Sequence, residues 1–250
     1  MATDPRSYQA PPDLLRDRAI LVTGAGAGIG RCAALTFARH GATVILCGRT
    51  AARLEQVYDE IVAAGAPEPV LAPLSLELAT EAEYRQLAAH IHDEFGRLDG
   101  LLHNAGVLGQ RTSIANYDAG TWQQVIQVNV TAQFLLTKAL LPALREADAA
   151  SVLFTSSGVG RRGRAFWGAY AVSKFAVEGL SQVLAAELEL TSRIRVNCIN
   201  PGATRTAMRA AAYPAEDPAT LKTPEQIMPA YLYLMGDASR DVTGQSCDAQ

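Results

Sequence analysis

The stretch SGVGRRGRAFWGAYAVSK, residues 157–174, holds a serine, then a tyrosine, then a lysine four positions on. On one helix, Tyr170 and Lys174 would share a face one turn apart. An ammonium beside a phenol favours the phenolate and lowers a pKa that is ordinarily about 10. A phenol tuned in that way gives or takes a proton near neutral pH. Ser157 closes the apolar run SVLFTSS, which reads as a strand and puts the hydroxyl at its carboxyl end. Ligands of open α/β sheets bind at that edge. A Tyr-x-x-x-Lys spacing also occurs on ordinary solvated helices, so its meaning depends on the elements that carry it.

Those elements alternate. RAILVTG is a short aliphatic strand, followed by helical periodicity from Ile29 to about His40, with Gly41 as its stop. TVILC is a second strand, and a helix from Ala51 to Ala64 closes at Gly65. VLAPLSL is a third strand in which Pro73 would weaken a central ladder. An amphipathic helix from Thr80 to Phe95 leads to a fourth strand, GLLHNAG, and a long helix spans Gly120 to Arg145 with Pro142 in its last turn. SVLFTSS, a helix from Ala169 to about Leu190, and IRVNCINPG repeat the pattern. Thr204 to Lys222 shows no clear periodicity and is a candidate lid; Pro224 to Met235 is a last helix and TGQSCDA a last short strand. Alternating helices and nearly all-apolar strands specify an α/β fold, a doubly wound parallel sheet of about seven strands covered on both faces. Residues 1–18 read as an N-terminal arm, and residues 19–250 as a single domain for both cofactor binding and catalysis.

Composition excludes several functions. The chain has 250 residues, 49% apolar and 19% charged, with a net charge of -3. That charge offers nucleic acid no global attraction, and no Lys/Arg block supplies a local one. No apolar run is long enough to span a bilayer, and the polar, proline-bearing start lacks a signal-peptide core. A cytoplasmic protein is expected. The four cysteines (Cys32, Cys47, Cys198, Cys247) and four histidines (His40, His90, His92, His103) are scattered. We expect reduced thiols, no disulfide framework and no metal.

Between the first strand and the first helix lies TGAGAGIG, residues 23–30. Its glycines, 24, 28 and 30, allow a tight turn and close approach to a pyrophosphate, which meets the amides of the helix N-terminus. The third glycine of the G-x-G-x-x-G fingerprint is missing, since that position is Ile29. The second strand ends Cys47-Gly48-Arg49, with no carboxylate for a ribose 2′-hydroxyl and a guanidinium suited to a 2′-phosphate. NADP(H) is therefore expected over NAD(H).

TGAGAGIG, HNAG at 103–106, Asn129 within QVNV, Ser157, Tyr170-x-x-x-Lys174 and PGATRT at 201–206 occur in this order. Together they resemble the short-chain dehydrogenase/reductase superfamily in its single-domain, Rossmann-like form, from about Arg18 to Ala249. Within it, LLHNAGVLG, GRRGRAFWGAYAVSKFA and VNCINPGATRTAMRA are similar to the YciK-type bacterial oxidoreductases. The resemblance implies a catalytic tetrad of Asn129, Ser157, Tyr170 and Lys174. Tyr170 would be the general acid in carbonyl reduction, and Ser157 would hold the substrate oxygen. Lys174 would acidify the tyrosine and bind the nicotinamide ribose, and Asn129 would hold a water linking Lys174 to solvent. Cofactor contacts are implied at Gly24, Ala27, Gly28, Ile29 and Gly30, at Arg49, at Leu76, at Asn104, Ala105 and Gly106, at Tyr170 and Lys174, and at Pro201, Gly202, Thr204 and Thr206. Three positions depart from the family pattern. Ser75 replaces an aspartate that reads the adenine edge, Ala27 replaces a basic residue of many NADP-dependent relatives, and His103 replaces an asparagine, which puts it on the strand rather than in catalysis.

The expected activity is reduction of an aldehyde or ketone by a homodimer or homotetramer built through the helices of Asn129 and Tyr170. A dinucleotide-binding sensor without catalysis and an NAD-dependent alcohol dehydrogenase are the alternatives. Arg161, Arg162, Arg164, Arg205 and Arg209 are either surface or subunit-contact charge, or a seat for an anionic substrate group. Phe166 and Trp167 could wall the reacting carbon with apolar surface.

Overall fold

Strands made almost wholly of aliphatic side chains cannot leave either face in water, so they collect at the centre of a layered fold. The computed structural model describes residues 4–250 and contains seven of them. They are β1 (Ala19–Thr23), β2 (Thr43–Gly48), β3 (Val70–Pro73), β4 (Gly100–His103), β5 (Ser151–Thr155), β6 (Arg195–Asn200) and β7 (Ser246–Asp248). All pair in parallel, in the order β3-β2-β1-β4-β5-β6-β7. This is the doubly wound, Rossmann-like arrangement, and its direction of winding reverses between β1 and β4. At that reversal the loops leaving the strands diverge and open a crevice.

The helices are α1 (Gly28–Arg39), α2 (Ala51–Ala63), α3 (Glu81–Phe95), α4 (Ala119–Ile126), α5 (Ala132–Arg145), α6 (Gly168–Leu188), α7 (Ala207–Ala212) and α8 (Met228–Met235). Successive strand residues point to opposite faces and so split the core in two. Ile20, Val22, Val44 and Leu46 meet the layer of α1, α2 and α8. Leu21, Ile45, Leu101 and Val152 meet the layer of α3, α5 and α6. Local signals set the ends: Thr80 and Glu83 cap α3 reciprocally, and Gly96 stops it at φ 69.

The structure departs from the sequence reading at several places. The third strand ends at Pro73 and is an edge strand, where a missing N–H costs no ladder bond. The strand expected to reach Ser157 stops at Thr155, and Ser157 caps a 3-10 turn, Gly158–Gly160. The long helix expected over 120–145 is α4 and α5 joined by a π turn, Gln127–Thr131, while Pro142 is indeed tolerated near its end. The last helix begins as a 3-10 turn, Glu225–Ile227, before α8. The aperiodic 204–222 segment holds α7 and is closed by a Thr204–Lys222 bridge. The first three residues of the expected arm lie outside the described residues. Beyond them, Leu15 is buried, its N–H donates to the His40 carbonyl, and Tyr8 packs edge-on against Tyr233 of α8.

Candidate active site

The crevice at the carboxyl edge of the sheet is a cleft of about 400 Å3. Its floor begins at Gly24, which adopts φ 68 and lies so close to Ala105 that a Cβ would come within 3.0 Å of the Ala105 Cα. Only glycine meets both demands. The exits of β1 and β4 are tied together by Thr23, whose Oγ1 accepts from the Asn104 and Ala105 amides at 3.0 and 3.1 Å. Gly28 starts α1 at φ 54, leaving amides free at the helix N-terminus beside Thr206. This is the geometry that receives a pyrophosphate.

At the other end, Ser157, Tyr170 and Lys174 line the cleft together. Tyr170 and Lys174 lie one turn apart on α6, as their spacing requires, and Lys174 Nζ sits 5.5 Å from the phenol ring centroid. Gly160 lets the Ser157 turn approach α6, since a Cβ there would lie 2.9 Å from Lys174 backbone atoms. Lys174 is buried, and its ammonium donates to the Thr155 carbonyl at 2.7 Å. Burial draws its pKa down to about 8. The Tyr170 phenol differs from expectation. Burial pushes it up to about 12, and a hydrogen bond with Ser157 acts in the lowering direction. Burial outweighs the lowering influences because the ammonium's direct bond goes to the Thr155 carbonyl and the phenol has lost its water.

Asn129 falls in the π turn, fully buried. Its Oδ1 accepts from the Val107 amide at 2.8 Å, and its Nδ2 donates to the Val107 carbonyl and to Ser173 Oγ, both at 3.0 Å. The carboxamide thus clamps the loop after β4 to α6. It stands behind the cleft wall, as does Gly30, which packs beneath the Gly24 carbonyl and Asn104. The other expected residues gather at the cleft: Gly24, Ala27, Gly28, Ile29, Arg49, Leu76, Asn104 to Gly106, Pro201, Gly202, Thr204 and Thr206. His103 stays off the cleft, stacked on Phe154 at 4.7 Å with Nε2 2.8 Å from Thr137 Oγ1, and burial lowers its pKa to about 3.

Sequence reasoning missed four residues. Thr23 acts through its hydroxyl on the Asn104 and Ala105 amides, and Thr155 through its backbone carbonyl on Lys174, roles that residue type alone does not display. Arg53, in the first turn of α2 just after Arg49, lines the same end of the cleft, and a second arginine so soon after the β2 exit could have revealed it. Neither Arg49 nor Arg53 forms an ion pair among the described residues. The glycine turn and two free guanidiniums therefore fit a dinucleotide carrying an extra phosphate. Arg111, the fourth, lays its guanidinium over Trp167 at 4.4 Å and Tyr213 at 5.1 Å. Trp167 forms the apolar wall beside Tyr170, at 5.6 Å between centroids, whereas Phe166 is exposed and held at φ 68.

A family model described as short chain dehydrogenase matches residues 18–217. The oxidoreductase YciK of Escherichia coli K12 is 57% identical over 243 residues, covering 97% of this chain and 96% of that protein. A short chain dehydrogenase from Pseudomonas syringae superposes with a TM-score of 0.96 at 56% identity, over 98% of this chain and 99% of the other. Another from Escherichia coli CFT073, solved in complex with NADPH, gives 0.94 at 57% identity, over 96% and 99%.

Proposed function

The chain belongs to the short chain dehydrogenase family, and from that premise we propose an NADP(H)-dependent oxidoreductase that reduces an aldehyde or ketone to the alcohol, reversibly. The observation that carries this reading is the meeting of Ser157, Tyr170 and Lys174 at one end of a cleft whose other end is the Gly24 turn and Arg49. NADP(H) is the cofactor, as the NADPH complex of a 57% identical relative supports. When bound, its nicotinamide supplies or removes the hydride.

The remaining work falls to the chain's own residues. Arg49 and Arg53 take the 2′-phosphate, and Gly24, Ala27, Gly28 and Ile29 present amides to the pyrophosphate. Leu76 and Asn104 to Gly106 flank the adenosine side, and Pro201, Gly202, Thr204 and Thr206 the carboxamide. The Ser157 hydroxyl donates to the carbonyl oxygen as negative charge builds there. Tyr170 delivers its proton to that oxygen in reduction and takes it back in oxidation. Lys174, held by Thr155, places a positive charge under the ring and favours the tyrosinate left behind. Asn129 keeps the Val107 loop and α6 in register. Residues 19–250 serve as one domain in this reading, acting in the cytoplasm as a homodimer or homotetramer through α5 and α6. A non-catalytic sensor has no need of the complete serine, tyrosine and lysine set.

The test follows NADPH absorbance over a panel of carbonyls, with NADH alongside. Turnover with NADPH in excess of NADH is expected. Tyr170→Phe should lower kcat by about a hundred- to ten-thousandfold while still binding NADPH. Undiminished turnover in that variant rejects the assignment.

A further inference from the structure

A second cavity, of about 640 Å3, opens beside the reacting end of the cleft and shares Ser157, Trp167, Gly202 and Arg209 with it. Its charged lining is Arg162, Arg164 and Arg209; among the described residues no aspartate or glutamate lines it. In a chain whose net charge is -3, a concave wall of three guanidiniums with no acid is a local exception.

The three arginines, with neighbouring Arg161, are not equivalent. Arg161, next in sequence, turns away and bonds Asp248 at 2.8 Å and Ser246, with Glu178 at 3.6 Å, so it fastens β7 to α6. Arg209 is held by Glu216 through two bonds of 2.6 and 2.5 Å and stacks on Tyr213 at 3.8 Å, which fixes its place and balances its charge. Arg164 spends one donor on a neutral partner, the Tyr213 hydroxyl at 3.0 Å. A guanidinium has five N–H donors, so the others remain for a ligand. The Arg162 guanidinium has no side-chain partner among the described residues. Two uncompensated guanidiniums therefore face a cavity that a substrate bound at Ser157 would enter. Planar forks of this kind match carboxylate and phosphate oxygens.

We propose that this cavity seats an anionic group of the substrate, carboxylate or phosphate, through Arg162 and Arg164. The preferred substrates are then acidic carbonyl compounds. The inference rests on the carbonyl-reducing reading of the cleft for its orientation, but its binding arm stands apart from turnover.

Two matched pairs serve as probes: levulinate with its methyl ester, and dihydroxyacetone phosphate with dihydroxyacetone. Each is titrated calorimetrically into the intact enzyme loaded with NADP+, and assayed for turnover with NADPH. We expect the acidic member of at least one pair to bind about ten- to a hundredfold more tightly than its neutral partner. The R162Q/R164Q variant should bring that ratio close to one, and R162K/R164K should restore part of it through charge alone. The pair that shows the preference identifies the anion. Equal affinity within both pairs, or a ratio that survives in R162Q/R164Q, overturns the inference. Charge-dependent binding without turnover of any probe would keep the anion seat and sink the reductase reading; turnover without charge preference would do the reverse.

Discussion

Lys174 is a buried amine whose ammonium has one close partner, the Thr155 carbonyl. With a pKa near 8 when folded, against 10.5 when exposed, it binds fewer protons than the unfolded chain between those two values. Stability contributed by this group therefore rises with pH through that window and is lowest below about pH 8. The span corresponds to on the order of 3 kcal/mol. Cys47 and Cys198 act oppositely, because burial raises their thiols to about 12 and they lose stability as pH rises above 9. The difference between wild type and Lys174→Met isolates the lysine. Urea unfolding from pH 7 to 10.5 should show the variant's advantage shrinking as pH rises; a pH-independent difference would remove the buried-amine assignment. The Tyr170–Lys174 spacing was legible in the sequence, but the balance between ammonium and burial was not, since it depends on where Nζ points.

At the scale of elements, the π turn Gln127–Thr131 decides what Asn129 does. One extra residue in the turn leaves no mark on hydrophobic periodicity, so a sequence reading sees only a long helix. The wider turn carries Asn129, whose three hydrogen bonds link the β4 exit loop to α6. Asn129→Ala should strip partners from the Val107 amide and carbonyl and cost on the order of 2–4 kcal/mol in urea unfolding. An unchanged midpoint would show that the clamp is idle. Boundaries elsewhere were legible where a side chain caps or stops a helix, as with Thr80 and Gly96, and illegible where a 3-10 turn precedes a helix, as before α8.

For the whole molecule, α5 and α6 leave large apolar side chains half exposed: Phe134, Val172, Phe175 and Val183. Such surface on the helices of the active-site layer supports the proposed association between copies. Phe175→Glu should shift the protein toward monomer in sedimentation velocity, with the α-helical circular dichroism retained. A wild type that sediments as a monomer at micromolar concentration would dismiss the proposal. No helix is long and apolar enough to cross a membrane among the described residues.

Alternation of apolar strands with helices was enough to specify a parallel, doubly wound sheet, because all-aliphatic strands can be buried only between two layers. The glycine turn, Arg49 and the Tyr170–Lys174 pair were likewise local, set by backbone freedom, charge and helical pitch. Tertiary structure alone decided the rest. It brought Ser157 to Tyr170 across separate elements and gave Arg161 to Asp248 while leaving the Arg162 guanidinium without a side-chain partner among the described residues. It also buried Lys174 against a carbonyl from β5. Contacts between residues distant in sequence, and the loss of water that sets a pKa, depend on how layers stack rather than on any residue and its neighbours in the chain.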